Sequence, residues 1–138
     1  MEEKRIVVVG AGFGGITTSL MLARDPAIAR YGYEVVLIDR ETYHLYTAGL
    51  YEAAAVPRTF AKDAYLAASL RIPITEIIRA QPVRFLHASL IGLDRRNRRV
   101  MLAGGGTIPY AFLVLALGAE TNYFDIPGLK EYSIPLKT

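Results

Sequence analysis

The chain has no cysteine. That absence removes structural disulfides, thiolate metal sites and cysteine nucleophiles together, and it leaves the redox compartment open. Histidine is scarce as well. His44 and His87 lie far apart with no ligand spacing around them, so no metal site is expected. Neither sign of charge dominates: 16 basic residues against 13 acidic ones leave a net charge of +3. An excess that small and scattered gives no footing for nucleic acid. The tightest basic cluster, Arg95-Arg96-Asn97-Arg98-Arg99, falls where a hairpin tip is expected and reads as a solvated turn. A long apolar run is also missing. The stretch between Arg99 and Glu120 carries no charge, but Gly104-Gly105-Gly106 and Pro109 break it into two short strands, which excludes a membrane-spanning helix. The N-terminus enters a strand directly after Met-Glu-Glu-Lys, so no signal peptide is expected.

What is there is 138 residues, 52% apolar and 21% charged, enough for the core of one α/β domain. The organising stretch is Arg5–Gly15, R-I-V-V-V-G-A-G-F-G-G. Five strand residues run into Gly10-x-Gly12-x-x-Gly15, and a helical pattern follows with Ile16, Leu20 and Ala23 at spacings of four and three. Each glycine has its own task in a turn that carries a pyrophosphate. Gly10 permits the tight turn, Gly12 lets a phosphate approach the backbone, and Gly15 lets the helix lie close to the strand. The helix N-terminus then offers N–H groups and partial positive charge to the phosphates.

Asp25-Pro26 ends that helix or starts a short second one through Ala27–Tyr31, and Gly32 releases the chain into the strand Glu34–Ile38. This is a β-α-β unit, whose connection must be right-handed. Asp39 closes the second strand, 29 positions after Gly10, with the Asp25–Gly32 insertion accounting for the extra length. A carboxylate there can accept from both ribose hydroxyls of an adenosine and would repel a 2′-phosphate, which argues against NADP. The alternative for Asp39 is a solvated acid at a strand end. Arg40 either lies over the adenine or faces water.

Residues 41–56 change character: Tyr43, Tyr46 and Tyr51 interleave with His44, Thr47 and Gly49. Such a segment suits a flat ring with a polar edge, or else packs as an aromatic loop over the core. Short helices follow at Lys62–Leu70 and Thr75–Arg79, separated by Arg71-Ile72-Pro73. From Val83 the period becomes that of strands, at Val83–Ala88, Ser89–Asp94, Val100–Ala103 and Thr107–Tyr110. A last apolar parallel strand, Phe112–Ala116, ends in Leu117-Gly118-Ala119, a small-residue turn that lets backbone approach a second part of the same ligand. The expected fold class is α/β. It is a Rossmann-like parallel sheet in the order 3-2-1-4, with an antiparallel β-meander inserted between the third and fourth strands.

The glycine turn, Asp39, the meander and the Ala116-Leu117-Gly118-Ala119 turn together resemble the two-dinucleotide-binding-domain flavoproteins. More narrowly the chain resembles type II NADH dehydrogenase, the single-polypeptide NADH:quinone oxidoreductases. Tyr43-His44-Leu45-Tyr46-Thr47 is similar to that family's Y-H-L-F-T signature. Leu113–Ala119, continuing through Glu120-Thr121-Asn122-Tyr123-Phe124-Asp125-Ile126-Pro127-Gly128, is similar to its A-L-G-S-E-T-N-Y-F-G-I-P-G run. Ile134-Pro135-Leu136-Lys137-Thr138 resembles its P-L-K-T. The departures are Ala48 for a common proline, Ala111 where the wider superfamily often has Asp, and Leu117 for its usual Thr.

The resemblance implies FAD, not NAD, at the first glycine turn, within a Rossmann-like FAD-binding domain of which residues 1–138 are the N-terminal part. Gly10, Ala11, Gly12, Phe13 and Gly14 would hold the pyrophosphate, with Gly15 completing the turn. Asp39 and Arg40 would meet the adenosine end, and the backbone of Leu90 the adenine. His44-Leu45-Tyr46-Thr47 and the Ala116-Leu117-Gly118-Ala119 turn would approach the ribityl and flavin side. The flavin supplies the chemistry, so no catalytic acid, base or nucleophile is assigned to this chain. NADH would be the substrate of the full-length enzyme, and a quinone its acceptor.

The family's NADH-binding domain and membrane-facing C-terminal segment have no counterpart in the sequence, so the chain is expected to be a fragment that is inactive alone, the alternative being one piece of a split system. It would contact quinone and membrane only through those segments. At full length it would be cytoplasmic and peripheral at the inner face of the cell membrane. The incomplete sheet would expose apolar surface and favour self-association. Among rivals, disulfide reductases and sulfide:quinone oxidoreductases need cysteines that this stretch lacks. Ferredoxin- or rubredoxin-reductase-like enzymes stay open, with Tyr43–Thr47 against them, as does a non-catalytic module that senses NAD or FAD.

Overall fold

A computed structural model describes residues 4–57, 59–60 and 62–135. The resemblance drawn at Leu136-Lys137-Thr138 lies outside the described residues, as do Met1, Glu2 and Glu3. In chain order the elements are β1 (Arg5–Val9), α1 (Phe13–Arg24), α2 (Pro26–Arg30), β2 (Glu34–Asp39), β3 (Tyr43–Leu45), a 3-10 turn at Thr47–Gly49 and α3 (Leu50–Ala55). They continue with α4 (Asp63–Leu70), β4 (Arg71–Pro73), α5 (Ile74–Ile77), β5 (Val83–His87), β6 (Leu90–Asp94), β7 (Arg99–Leu102), β8 (Thr107–Pro109), β9 (Phe112–Leu115) and α6 (Leu129–Tyr132). The chain divides into two compact units. One runs to His44 and resumes over Ile72–Gly118; the other comprises Leu45–Arg71 and the residues from Ala119 on.

The first unit is built on a parallel sheet ordered β5-β2-β1-β9, the 3-2-1-4 order read from the sequence. Its register pairs Val9 with Ile38, Val9 with Leu115, and Asp39 with His87. Because side chains alternate across a strand, the fully apolar strands β1 and β2 feed two cores. Val7, Val9, Val36 and Ile38 pack with Val100, Leu102 and Tyr110 of the meander side. Val8 and Leu37 face the other way and pack with Ala11, Ile16, Ile74 and Ile78 from α1 and the α5 region. The result has three layers: helices, parallel sheet, and the antiparallel meander β6-β7-β8. A strand buried on both faces has no use for polar residues, which is why β1 and β2 read as continuous apolar runs.

Local chemistry sets the boundaries. Asp25 terminates α1 in extended backbone, and its carboxylate caps α2 by accepting from Ala27 N at 2.8 Å, with Pro26 at the first helical position. At the β6–β7 hairpin Asp94 accepts from Asn97 N at 3.0 Å and from Asn97 Nδ2 at 2.7 Å. The Asn97 backbone and side-chain bonds hold the Asp94 carboxyl below the usual carboxylate range. The arginine cluster is therefore the outside of a tight turn, as expected. The 41–56 segment resolves into a three-residue strand, a 3-10 turn and a six-residue helix. No described helix is long and apolar enough to cross a membrane.

At the β9 edge Phe112 and Leu115 are 57% and 50% exposed, and Leu117 just beyond is 63% exposed. Among the described residues β9 pairs only with β1. The exposed apolar edge anticipated for this sheet is present.

The packing makes two opposite forecasts for stability. Leu37→Ala, at a side chain with no exposure, is expected to cost about 2–5 kcal/mol by urea denaturation. Ser19, on the sheet side of α1, is also fully buried, and its Oγ has no hydrogen-bond partner. Ser19→Ala is therefore expected to leave stability unchanged or to raise it by up to about 1 kcal/mol. A loss of that size or more would mean that the hydroxyl has a partner.

Candidate functional site

All four parallel strands deliver their carboxyl ends to one edge of the sheet, where ligands bind in open α/β folds. Backbone ladder bonds carry the chain one residue past each strand. Gly10 N donates to Ile38 O, Ala116 N to Val9 O and Ala88 N to Asp39 O, each at 2.8 Å. Gly10, Asp39, Ala88 and Ala116 are thereby aligned along this edge. Of the sequence-predicted residues of the first unit, all but Leu90 gather there: the Gly10–Gly15 turn, Asp39, Arg40, His44, Ala116, Leu117 and Gly118.

The glycines divide into two kinds. Gly10 has φ +103°, and a side chain there would run into the carbonyl of Ala116. Gly15 is buried, and a methyl on it would overlap the carbonyl of Gly10. Gly15 closes the helix onto the end of β1, and Gly10 lets that turn lie against the end of β9. A methyl on Gly12 or Gly14 meets nothing within 4 Å, so the fold itself does not require glycine at either position. The open space lies at the start of α1, where Gly12 is the N-cap, no side chain caps the helix and the first turn carries no acid. An uncapped helix N-terminus with empty room above its glycines is suited to a phosphate.

Asp39 is tied into this turn more closely than its position in the sequence suggests. Its Oδ2 accepts from Ala11 N and its Oδ1 accepts from Glu41 N at 2.8 Å. Each oxygen keeps a further lone pair, because an ionised carboxylate offers about four acceptor sites. Arg40 is solvent-exposed beside it, with its guanidinium 4.0 Å from the Glu41 carboxylate. His87, at the end of the neighbouring strand, donates from Nε2 to Arg40 O at 2.8 Å. That support was not singled out from the sequence; the signal available was a polar residue ending the strand that pairs with β2.

His44 is 6% exposed. Its Nδ1 donates to Ala11 O at 2.9 Å, and its ring meets Phe13 edge-on with centroids 4.7 Å apart. The resemblance directs His44 toward the flavin side of a cofactor; the contacts observed are with the glycine turn. Leu90 opens β6, its side chain packed on the meander-side core. Gly118 has φ +75° with open space around it, and Leu117 beside it faces outward. Thr47 and Ala119 belong to the second unit. Among the described residues no group of His, Asp and Glu could hold a metal ion.

The division among the glycines can be tested on folding alone. Gly15→Ala should destabilise the fold by about 3 kcal/mol or more, since backbone must move to admit the methyl. Gly14→Ala, in a helix with free space, should leave it unchanged or gain up to about 1 kcal/mol. Equal effects in thermal or urea unfolding would remove the distinction.

Residues 4–138 match the family model described as pyridine nucleotide-disulphide oxidoreductase. A type II NADH:quinone oxidoreductase of Staphylococcus haemolyticus is 29% identical over 136 residues, covering 99% of this chain and 31% of that protein. The Staphylococcus aureus enzyme of the same name is 27% identical with the same coverage. The chain therefore spans about a third of the length of these curated relatives. Among solved structures, sulfide:quinone oxidoreductase from Aquifex aeolicus superposes with TM-score 0.74 at 23% identity, over 93% of this chain and 27% of that one. NDH2 from Plasmodium falciparum, in complex with NADH, gives TM-score 0.67 at 19% identity, over 96% and 26%. At such identities the superpositions establish the fold, which is that of these oxidoreductases. With a family model matched along nearly its whole length, the chain belongs to the pyridine nucleotide-disulphide oxidoreductase family.

Proposed function

We propose that this chain is the FAD-binding part of an oxidoreductase that passes electrons from NADH through FAD to a quinone, and that residues 1–138 form the N-terminal part of its FAD-binding domain. The observation that carries the reading is the turn itself. Gly12 and Gly14 stand open at an uncapped helix N-terminus, and Asp39 is hydrogen-bonded to the same turn. Similarity to type II NADH:quinone oxidoreductases across 136 residues supports the choice of cofactor and reaction.

The residues present fit the pyrophosphate and adenosine half of FAD. The N-terminus of α1 and the backbone of Gly12–Gly14 hold the pyrophosphate, and the remaining lone pairs of Asp39 accept from the ribose. Arg40 and the backbone of Leu90 border the adenine, while His44 and Ala116–Gly118 belong to the ribityl and flavin side. Bound FAD would supply two-electron chemistry between NADH and quinone, and the protein groups named here bind and orient it. Quinone and the inner face of the cell membrane are met through parts of the longer protein. The exposed Phe112, Leu115 and Leu117 favour self-association of this chain alone.

Binding and turnover test separate parts of this reading. FAD titrated into the chain should bind, and Gly12→Val should abolish binding without unfolding the protein, because the branched side chain takes the phosphate's space. Asp39→Ala should weaken FAD by about 1.5–3 kcal/mol, the range for hydrogen bonds to a charged group. Unchanged affinity in both variants would place the cofactor elsewhere.

The sequence has a single G-x-G-x-x-G, and in this reading FAD takes it. Hydride transfer needs the nicotinamide held about 3–3.5 Å from its acceptor. NADH oxidation by residues 1–138 with a soluble quinone should therefore match a free-FAD control. Saturable NADH kinetics well above that control would assign the turn to NADH.

A further inference from the structure

We propose that His44 is a positioning residue for the dinucleotide turn, setting the direction in which the Gly12 N–H points. The inference rests on the dinucleotide reading of Gly10–Gly15. A carbonyl oxygen can only accept, so the 2.9 Å contact between His44 Nδ1 and Ala11 O puts the ring proton on Nδ1. Burial of the ring and its edge-on packing against Phe13 fix its plane.

Ala11 C=O and Gly12 N–H belong to one peptide group. The described chain has no cis peptide bonds, and in a planar trans peptide these two groups point in opposite directions. Anchoring the carbonyl on the buried imidazole therefore turns the Gly12 N–H away from His44. That N–H finds no acceptor among the described residues, and a side chain built on Gly12 meets open space.

The anchor matters because this peptide adjoins a glycine and can flip. Gly12 has no Cβ to oppose rotation, and a flipped peptide would present a carbonyl oxygen to the anion in place of a donor. Asp39 performs the matching task on the other side of Ala11, since the Ala11 N–H that it accepts belongs to the Gly10–Ala11 peptide. Both peptides flanking Ala11 are thus held by side chains, 28 and 33 positions further along the chain.

The test has a ligand-free arm and a binding arm. In the ligand-free protein, 15N NMR of His44 should show a proton on Nδ1, and His44→Ala should shift the Gly12 amide resonance while leaving core β1 and β2 amides in place. In the binding arm, FAD and inorganic pyrophosphate are titrated into the parent, His44→Ala and His44→Asn. His44→Ala should weaken both ligands about tenfold, the loss of one buried hydrogen bond. His44→Asn, whose amide can still donate, should recover part of that affinity. A parent that binds pyrophosphate but not FAD would overturn the cofactor assignment and leave the role of His44 standing. A parent that binds neither would overturn both. An Nε2–H tautomer, or a His44→Ala variant that binds both ligands as tightly as the parent, would overturn the role of His44 alone.

Discussion

The first unit depends on the contact between Gly15 and the carbonyl of Gly10. With no side chain at position 15, α1 sits directly on the turn that ends β1, and no other residue type fits there without moving backbone. That contact sets the start of the helix against the carboxyl end of the central strand. The register of β1 with β2 and β9 then brings Asp39 and Ala116 to the same edge. Loosening this one approach would shift the N-terminus of α1 relative to each of the other groups at the edge.

Below that contact the sheet is stabilised in two directions at once. The alternation of β1 and β2 gives half their side chains to the helices and half to the meander. Each fully buried Val, Leu or Ile contributes about 1.5–3 kcal/mol relative to exposure. The strand ends are consequently rigid where the glycine turn begins, while Gly12–Gly14 remain exposed. A rigid base beneath an open turn is what preorganised binding of a charged group needs. Surface ion pairs such as Arg5 with Glu34 at 3.0 Å lie at the opposite, amino end of the strands, and exposed pairs of this kind add little to stability.

Asp39 shows how one carboxylate can serve both fold and ligand. Two of its acceptor sites hold backbone N–H groups of Ala11 and Glu41, which fixes the side chain before any ligand arrives. The remaining lone pairs then face a ligand without an added cost of ordering the side chain. His87 steadies the next residue by bonding the Arg40 carbonyl. The edge of the sheet is in this way a connected set of hydrogen bonds among residues from β1, β2, β5 and the segment around β3.

Much of this protein was legible in its sequence because the relevant signals are local. A continuous apolar run marks a strand buried on both faces, G-x-G-x-x-G marks a strand turning into a helix, and an acid at the end of the next strand must share the carboxyl edge of a parallel pair. The intervening meander follows from those runs, and the 3-2-1-4 order is the one that the dinucleotide-binding β-α-β pattern carries with it. The motif already gave Gly10 and Gly15 backbone tasks and Gly12 a ligand task, but it could not say which carbonyl excludes a side chain at each, nor that Gly14 stands open as well. Both depend on whether another segment's carbonyl lies over the Cα, and Ala116 is far from Gly10 in the chain. Nor could it turn His44 toward Ala11 O, because a hydrogen bond across 33 positions depends on where the segment after β2 comes to rest. The division at His44 and Ile72, which assigns Thr47 and Ala119 to a second unit, is likewise a property of packing density. Pattern along the chain sets which elements form; contacts between distant segments decide which atoms of those elements meet.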